Sequence, residues 1–175
     1  MVSKICRRWL STVVGGAAAA SPVSTSASSS HRAPKRLFSG IQPSGRVHLG
    51  NYLGAIQQWV SLQNQGSYAP SDLMLSIVDL HALTSSSDGN EMRHAVREVA
   101  ATLLACGLEH ERCVLFQQSH VKQHTELSWI LSCITPMNWL QAMTQYREKV
   151  QAGGAANVGL FAYPVLMAAD ILLFK

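Results

Sequence analysis

The amino-acid order predicts an α/β domain built on a parallel sheet, and three observations predict it. Short apolar runs alternate with stretches of helical periodicity. One of those runs, "LMLSIVDL" at 73–80, is almost continuously apolar, as in a strand covered on both faces. The runs are also far enough apart for a helix to cross between them, as parallel pairing requires.

The elements follow in order. "RLFSGI" (36–41) is a short apolar run with a glycine near its end, and reads as the first strand. Leu49, Tyr52, Leu53, Ile56 and Val60 then recur at helical spacing. The run 73–80 is the second strand. Met92, Ala95, Val96, Val99, Ala100, Leu103 and Leu104 form one stripe of a second helix, and Gly107 is placed to end it. "CVLFQ" (113–117) is the third strand. Two helices are expected near 122–133 and 138–150, followed by a mobile loop, "QAGGAANVG". A last helix is expected to start at Pro164, a favoured first-turn position, and to be running still at Lys175. The class is Rossmann-like. Ligands in such sheets sit beyond the carboxyl ends of the strands, here Ser39–Gln42, Asp79–His81 and Gln117–Ser119. The apolar face of the last helix continues to the final residue, so the domain is expected to be incomplete there.

The charge of the chain is unevenly placed. The formal net charge is +4, yet the first acidic residue is Asp72. Lys4, Arg7, Arg8, Arg32, Lys35 and Arg36 precede it, and the residues after Arg36 carry eight basic against ten acidic side chains. The basic character belongs to a leader and not to a nucleic-acid-binding face of the body. That leader is acid-free, has arginine near its start and continues into "AAAASPVSTSASSS". Residues 1–35 therefore read as a disordered transit peptide addressed to the mitochondrial matrix, with a secretory signal or a plain tail as the alternatives, and 36–175 as the folded body. No apolar run is long enough to span a bilayer. Cys6, Cys106, Cys113 and Cys133 form no CxxC pair, so neither a zinc site nor a disulfide framework is indicated.

Chemistry concentrates in "SGIQPSGRVHLGNYLGAIQQW", 39–59. A strand, a Gly/Pro turn and a helix start form a cradle suited to phosphate, because the first N–H groups of the helix are unpaired. His48 at the junction adds a donor for charge developing on a phosphate, and Gly50 leaves a flat surface for a purine. Neither GxGxxG nor a GK[ST] loop is present. The bland alternative is a glycine-rich β–α turn whose histidine only caps the helix. A second concentration lies in the last helix. Tyr163, Met167, Asp170, Ile171 and Phe174 share a face that is apolar except for Asp170. A buried carboxylate needs a donor, and no basic residue lies within one turn of it. The donor is either a ligand N–H or a distant part of the fold or of a dimer. Asp79 and His81, at a strand end, are open between function and packing.

The blocks "GIQPSGRVHLGNYLGA", "SIVDLHALT", "LFQQS", "MTQYREK" and "YPVLMAADILL" together resemble, in order, the signatures of the tryptophanyl-tRNA synthetases, with "HLGN" as their variant of the class I HIGH motif. The resemblance covers about Arg36 to Lys175, and with the leader it points to the mitochondrial form. It implies a class I catalytic domain, incomplete at its C-terminus, that joins ATP and L-tryptophan to give the adenylate and then charges tRNA-Trp. It places Gln42, Pro43, Ser44, His48, Gly50 and Asn51 at ATP, with His48, Asn51 and Lys149 taking part in catalysis and Arg147 and Gln145 as weaker phosphate contacts. It places Asp170 on the indole N–H, in a pocket lined by Phe38, Gly40, Gln42, His81, Tyr163 and Met167. Mg²⁺ would arrive with ATP, with no metal held by protein ligands alone, and the family is dimeric. The lysine-rich KMSKS-like loop and the anticodon-binding domain of that class do not occur in these 175 residues, so the alternatives are a truncated interaction or dimerisation module and another HxGH-type nucleotidyltransferase.

Overall fold

Three parallel strands, β1 (Leu37–Ile41), β2 (Leu73–Ile77) and β3 (Val114–Gln117), stand in that order in one sheet. Leu37 pairs with Leu73 and Ile41 with Ile77, while Met74 pairs with Val114 and Ile77 with Gln117. The computed structural model describes residues 36–85, 88–151 and 157–175, without the side chains of Gln145 and Lys149. The leader expectation, and most of the loop expected at 151–159, lie outside the described residues. All of β2 is buried, as its run of apolar residues implies. Alternation divides it: Leu73, Leu75 and Ile77 enter one hydrophobic core with Ile56, Trp59, Val96, Val99 and Leu103. Phe38 and Phe116 fall on the opposite register positions, and Phe38 stacks on Phe174 with ring centroids 4.8 Å apart. Helices therefore cover both faces. Among the described residues no helix is long and apolar enough to cross a membrane.

After β1 the chain turns at Gly45, whose φ of +89° suits glycine best. It then enters α1 (Leu49–Asn51), a π-helical turn (Tyr52–Ile56) and α2 (Gln57–Gln65). The π turn inserts one residue into the helical repeat. That explains a departure from the expected stripe: Ile56 is fully buried, but Leu49 is 70 % exposed and Leu53 53 %. Gln63, buried near the end of α2, donates to the Gly107 carbonyl and accepts from the Glu109 N–H, fixing α2 to the loop at 107–109.

β2 ends at Ile77, earlier than its apolar run, and Asp79–Ala82 form a short helix, α3. The reason is Asp79, whose Oδ1 accepts from its neighbour's N–H, Leu80, and from Ser119, bending the chain out of the ladder. Helix α4 (Gly89–Ala105) begins at Asp88, whose carboxylate accepts from the Asn90 and Glu91 N–H groups. It ends as expected at Gly107, with φ +104°. There the Leu108 N–H meets the Leu103 carbonyl and the Gly107 N–H the Leu104 carbonyl, the paired closure of a Schellman end.

Helix α5 (Gln123–Ser132) matches expectation, but the next helix is two, α6 (Met137–Gln141) and α7 (Thr144–Gln151). The last helix, α8 (Val158–Leu173), starts six residues before Pro164, which lies inside it. Asn157 is its cap, accepting from the Leu160 N–H at 2.7 Å. The asparagine is the better start signal, and packing of α8 along α5 offsets a proline that costs an interior helix about 3 kcal/mol. The helix stops at Leu173 and not at Lys175.

Candidate functional site

The turn from β1 to α1 is built around His48. Its backbone is extended (φ −113°, ψ 170°), and its Nδ1 accepts from the Gly50 N–H at 3.1 Å and the Asn51 N–H at 3.4 Å. Asn51 reciprocates: its Oδ1 accepts from the His48 N–H at 3.1 Å. The histidine therefore does cap the helix, as the bland reading held. It does so with one nitrogen only, which leaves the far side of the ring, Nε2, for a ligand. Gly50 makes room for this ring, since a Cβ there would stand 3.0 Å from His48 Cε1 and Nδ1. Gln42, Ser44 and His48 are exposed and Pro43 is buried. Gly40 is packed against the neighbouring strand end: a Cβ there would meet Val78 Cγ1 at 2.8 Å. Lys149 and Gln145 ride on α7, but their side chains lie outside the described residues; Arg147, between them, is exposed.

Asp170 finds its donors in distant parts of the fold, one of the two sources the sequence leaves open. It is buried, at 3 % exposure, and it does not lack donors. His81 Nε2 lies 2.8 Å from Oδ2 and His124 Nδ1 2.6 Å from Oδ1. Gln118 Nε2 donates to both oxygens, at 2.8 and 2.9 Å. A carboxylate offers about four lone-pair positions, so these contacts saturate it. The donors come from 89, 46 and 52 residues away in sequence, where no search along the helix could find them. An ionised Asp170 fixes both tautomers, with the proton of His81 on Nε2 and that of His124 on Nδ1. His124 Nε2 and Gln118 Oε1 are then buried with no partner among the described residues.

The rest of the expected pocket is brought together in part. Tyr163 meets His81 edge-on, with ring centroids 6.5 Å apart, and burial pushes its phenol above the ordinary value, so it keeps its proton at neutral pH. Phe38 and Phe174 stack, and Phe174 is 5.4 Å from the His124 ring. Met167 is on the same face but 44 % exposed, and Ile171 is turned to solvent at 58 %. Tyr163 also lines a cavity of about 300 Å³ between α5 and α8, together with Leu80, Thr84, Thr125, Trp129 and Leu166. Gln118 and His124, both wholly buried, were not foreseen. The one signal for them was position, at and just after the carboxyl end of β3, where ligands of such sheets gather.

Asp79 is the second buried carboxylate at this edge. It accepts from the Leu80 and Ser119 N–H groups and, at 2.7 Å, from Gln117 Nε2. Its role is to tie the ends of β2 and β3 together. Among the described residues no three His, Cys, Asp or Glu side chains are grouped to hold a metal ion.

A family model described as "tRNA synthetases class I (W and Y)" matches residues 30–175. The chain belongs to that family. The strand–turn–helix carrying His48 and the parallel sheet beneath it are the class I synthetase fold. Among similar proteins, a tryptophan–tRNA ligase of Gloeobacter violaceus is 53 % identical over 144 residues, covering 82 % of this chain and 41 % of the relative. One from Prochlorococcus marinus is 47 % identical over 141 residues, covering 80 % and 40 %. A crystal structure of tryptophanyl-tRNA synthetase from Campylobacter jejuni, described as complexed with ADP and tryptophan, superposes with a TM-score of 0.71 at 45 % identity, covering 78 % of this chain and 41 % of that one. This class I synthetase chain thus spans about two fifths of the length of the curated relatives it matches.

Proposed function

We propose that this chain supplies the activation site of a tryptophan–tRNA ligase, which joins L-tryptophan to ATP and passes the tryptophanyl group to tRNA-Trp. The observation that carries the proposal is the His48 cap: a histidine held at a helix start, beyond the carboxyl end of β1, with Nε2 facing away from the helix N–H groups. The relatives named above carry that activity in their names, and one is described with ADP and tryptophan bound.

In this reading the tryptophan carboxylate attacks the α-phosphorus, the bond to the bridging oxygen breaks, and pyrophosphate leaves with the electron pair. The protein's share is positioning and charge stabilisation. His48 Nε2–H donates to a phosphate oxygen, beside Gln42, Pro43, Ser44, Gly50 and Asn51. Lys149, carried on α7, would take a further phosphate contact. Mg²⁺ would arrive with ATP and neutralise phosphate charge, since among the described residues no group of side chains is placed to hold it. On the other side, Asp170 organises the amino-acid pocket with His81 and Tyr163, and Phe38, Gly40, Gln42 and Met167 contribute its walls. An indole N–H reaches the carboxylate only by displacing one of the two Gln118 contacts. A hydrogen bond to a charged group is worth ~1.5–3 kcal/mol. Rejecting phenylalanine by ~10⁴ needs above 5 kcal/mol at 1.4 kcal/mol per decade. Because the protein's own donors already satisfy the carboxylate, a wrong ligand leaves no group unpaired there, and the balance comes from the shape of the pocket.

The same proposal gives residues 1–35 a mitochondrial address. It also includes a homodimer, for which the exposed Trp129, Ile134, Met137 and Trp139 offer an apolar surface. The decisive experiment is ATP–pyrophosphate exchange with each amino acid in turn, alongside equilibrium binding of tryptophan and ATP to the chain. Tryptophan-dependent exchange, or tryptophan binding that excludes phenylalanine and tyrosine, is expected. Exchange driven by tyrosine, or no binding of either ligand, overturns the proposal.

A further inference from the structure

His48 has two ring nitrogens, and its neutral ring carries one proton. Nδ1 is the acceptor for the Gly50 and Asn51 N–H groups, at 3.1 and 3.4 Å. A nitrogen that accepts from two N–H groups cannot carry the proton, so the proton is on Nε2. Two neighbours hold the ring in that pose. Gly50 leaves the space the ring occupies, because a Cβ would come within 3.0 Å of Cε1 and Nδ1. Asn51 Oδ1 accepts from the His48 N–H at 3.1 Å and closes the reciprocal contact. The strand-like backbone of His48, at φ −113° and ψ 170°, is what lets side chain and N–H address the same turn.

We propose that Asn51 is a positioning residue for His48: its side-chain carbonyl pins the His48 backbone so that the first helical N–H groups hold Nδ1 unprotonated and present Nε2–H as the single donor. Asn51 Oδ1 therefore acts through the histidine, which leaves Asn51 Nδ2 for the nucleotide contact proposed above. The inference rests on the phosphate reading of this turn for its functional meaning, but the tautomer it assigns can be measured without nucleotide.

Long-range ¹H–¹⁵N correlation spectra of the histidine-labelled full chain, in the absence of ATP, are the test. His48 is expected to show an unprotonated Nδ1 and a protonated Nε2. Asn51→Ala should shift it towards the mixture of both tautomers seen for a free imidazole, with the amide spectrum elsewhere unchanged. Asn51→Asp, which keeps an acceptor oxygen, should restore the Nε2–H form while weakening ATP binding by charge repulsion. In pyrophosphate exchange, Asn51→Ala should lower kcat by about ten- to a hundredfold and leave the KM for tryptophan within about twofold. If Asn51→Ala does not fold, Asn51→Leu, of the same shape but without an acceptor, serves instead and should mix the tautomers in the same way. A protonated Nδ1 in the unmodified chain, or a tautomer unmoved by Asn51→Ala, overturns the inference. An Nε2–H histidine in a chain that binds no ATP leaves the inference standing and removes the functional proposal.

Discussion

Asp79 and Asp170 are both buried, at 5 % and 3 % exposure, and both stand where β2, β3 and the helices beyond them converge. Their donors differ in kind. Asp79 takes two backbone N–H groups, from Leu80 and Ser119, and one side chain, Gln117. Asp170 takes side chains alone: His81 from α3, Gln118 from the short 3₁₀ turn after β3, and His124 from α5. The first carboxylate shapes the path of the chain. The second shapes nothing in its own backbone; it gathers three side chains and fixes the protonation pattern of two of them. A carboxylate that organises backbone belongs to the scaffold, and one that organises imidazoles belongs to the chemistry of the pocket.

The largest effect should come from the second. Asp170→Ala strands two imidazole donors and an amide in the interior, and three stranded groups at about 1–3 kcal/mol each put the cost at about 3–5 kcal/mol or more. Urea unfolding should show a loss of that size; a loss below about 1 kcal/mol would mean that the cluster is wet and the contrast false. Asp79→Ala leaves two backbone N–H groups and an amide to find water, at about 1–3 kcal/mol for a stranded group, and its contacts are only part-buried. The expected loss is about 2 kcal/mol. Hydrogen exchange separates the two variants: the Leu80 and Ser119 amides should exchange faster in Asp79→Ala and keep their protection in Asp170→Ala. Equal exchange in both would erase the distinction between scaffold and pocket.

The smallest effect comes from an exposed reference carboxylate, Asp88. Hydrogen bonds from the Glu91 and then the Asn90 N–H hold its pKa below the ordinary value, with a small contribution from Arg93. A carboxyl with a depressed folded pKa stabilises above its unfolded pKa, and that contribution is lost as pH falls through the folded one. Helix α4 should therefore fray slightly on acidification below the usual carboxylate range. Asp88→Asn should keep the cap and remove the pH dependence. Thermal melts from neutral to acid pH, compared between the two proteins, report it; identical acid slopes would remove the cap from the account.

Much of this body was legible. β1, β3, α4 with its Gly107 stop, and α5 follow from apolar spacing, because each buries one stripe against the sheet. The glycine turn was legible as a cradle, although the reciprocal clasp of His48 and Asn51 was not. What could not be read depends on distance or on phase. Asp170 looked solitary because its partners enter from elements 46 to 89 residues away. Leu49 and Leu53 looked buried because a regular helix was assumed, and the π turn breaks the count. Pro164 looked like a beginning because its preference for the first turn is strong, while Asn157, upstream of it, carried the actual cap. Asp79 and Leu80 read as strand because apolar runs do not reveal where a carboxylate captures the next N–H.

The π turn also sets a rule about length. One residue in an α-helix is about 100° of rotation and about 1.5 Å of rise. The interval from His48 to Ile56 therefore acts as a phase setting. Trimming one residue from Tyr52–Ile56 would make the helix regular and swing Leu49 towards the sheet, and it would carry the imidazole about a quarter-turn around the axis. The anchor would fit better and the donor would aim wrong. Swapping residues inside this segment is tolerable in a way that shortening it is not.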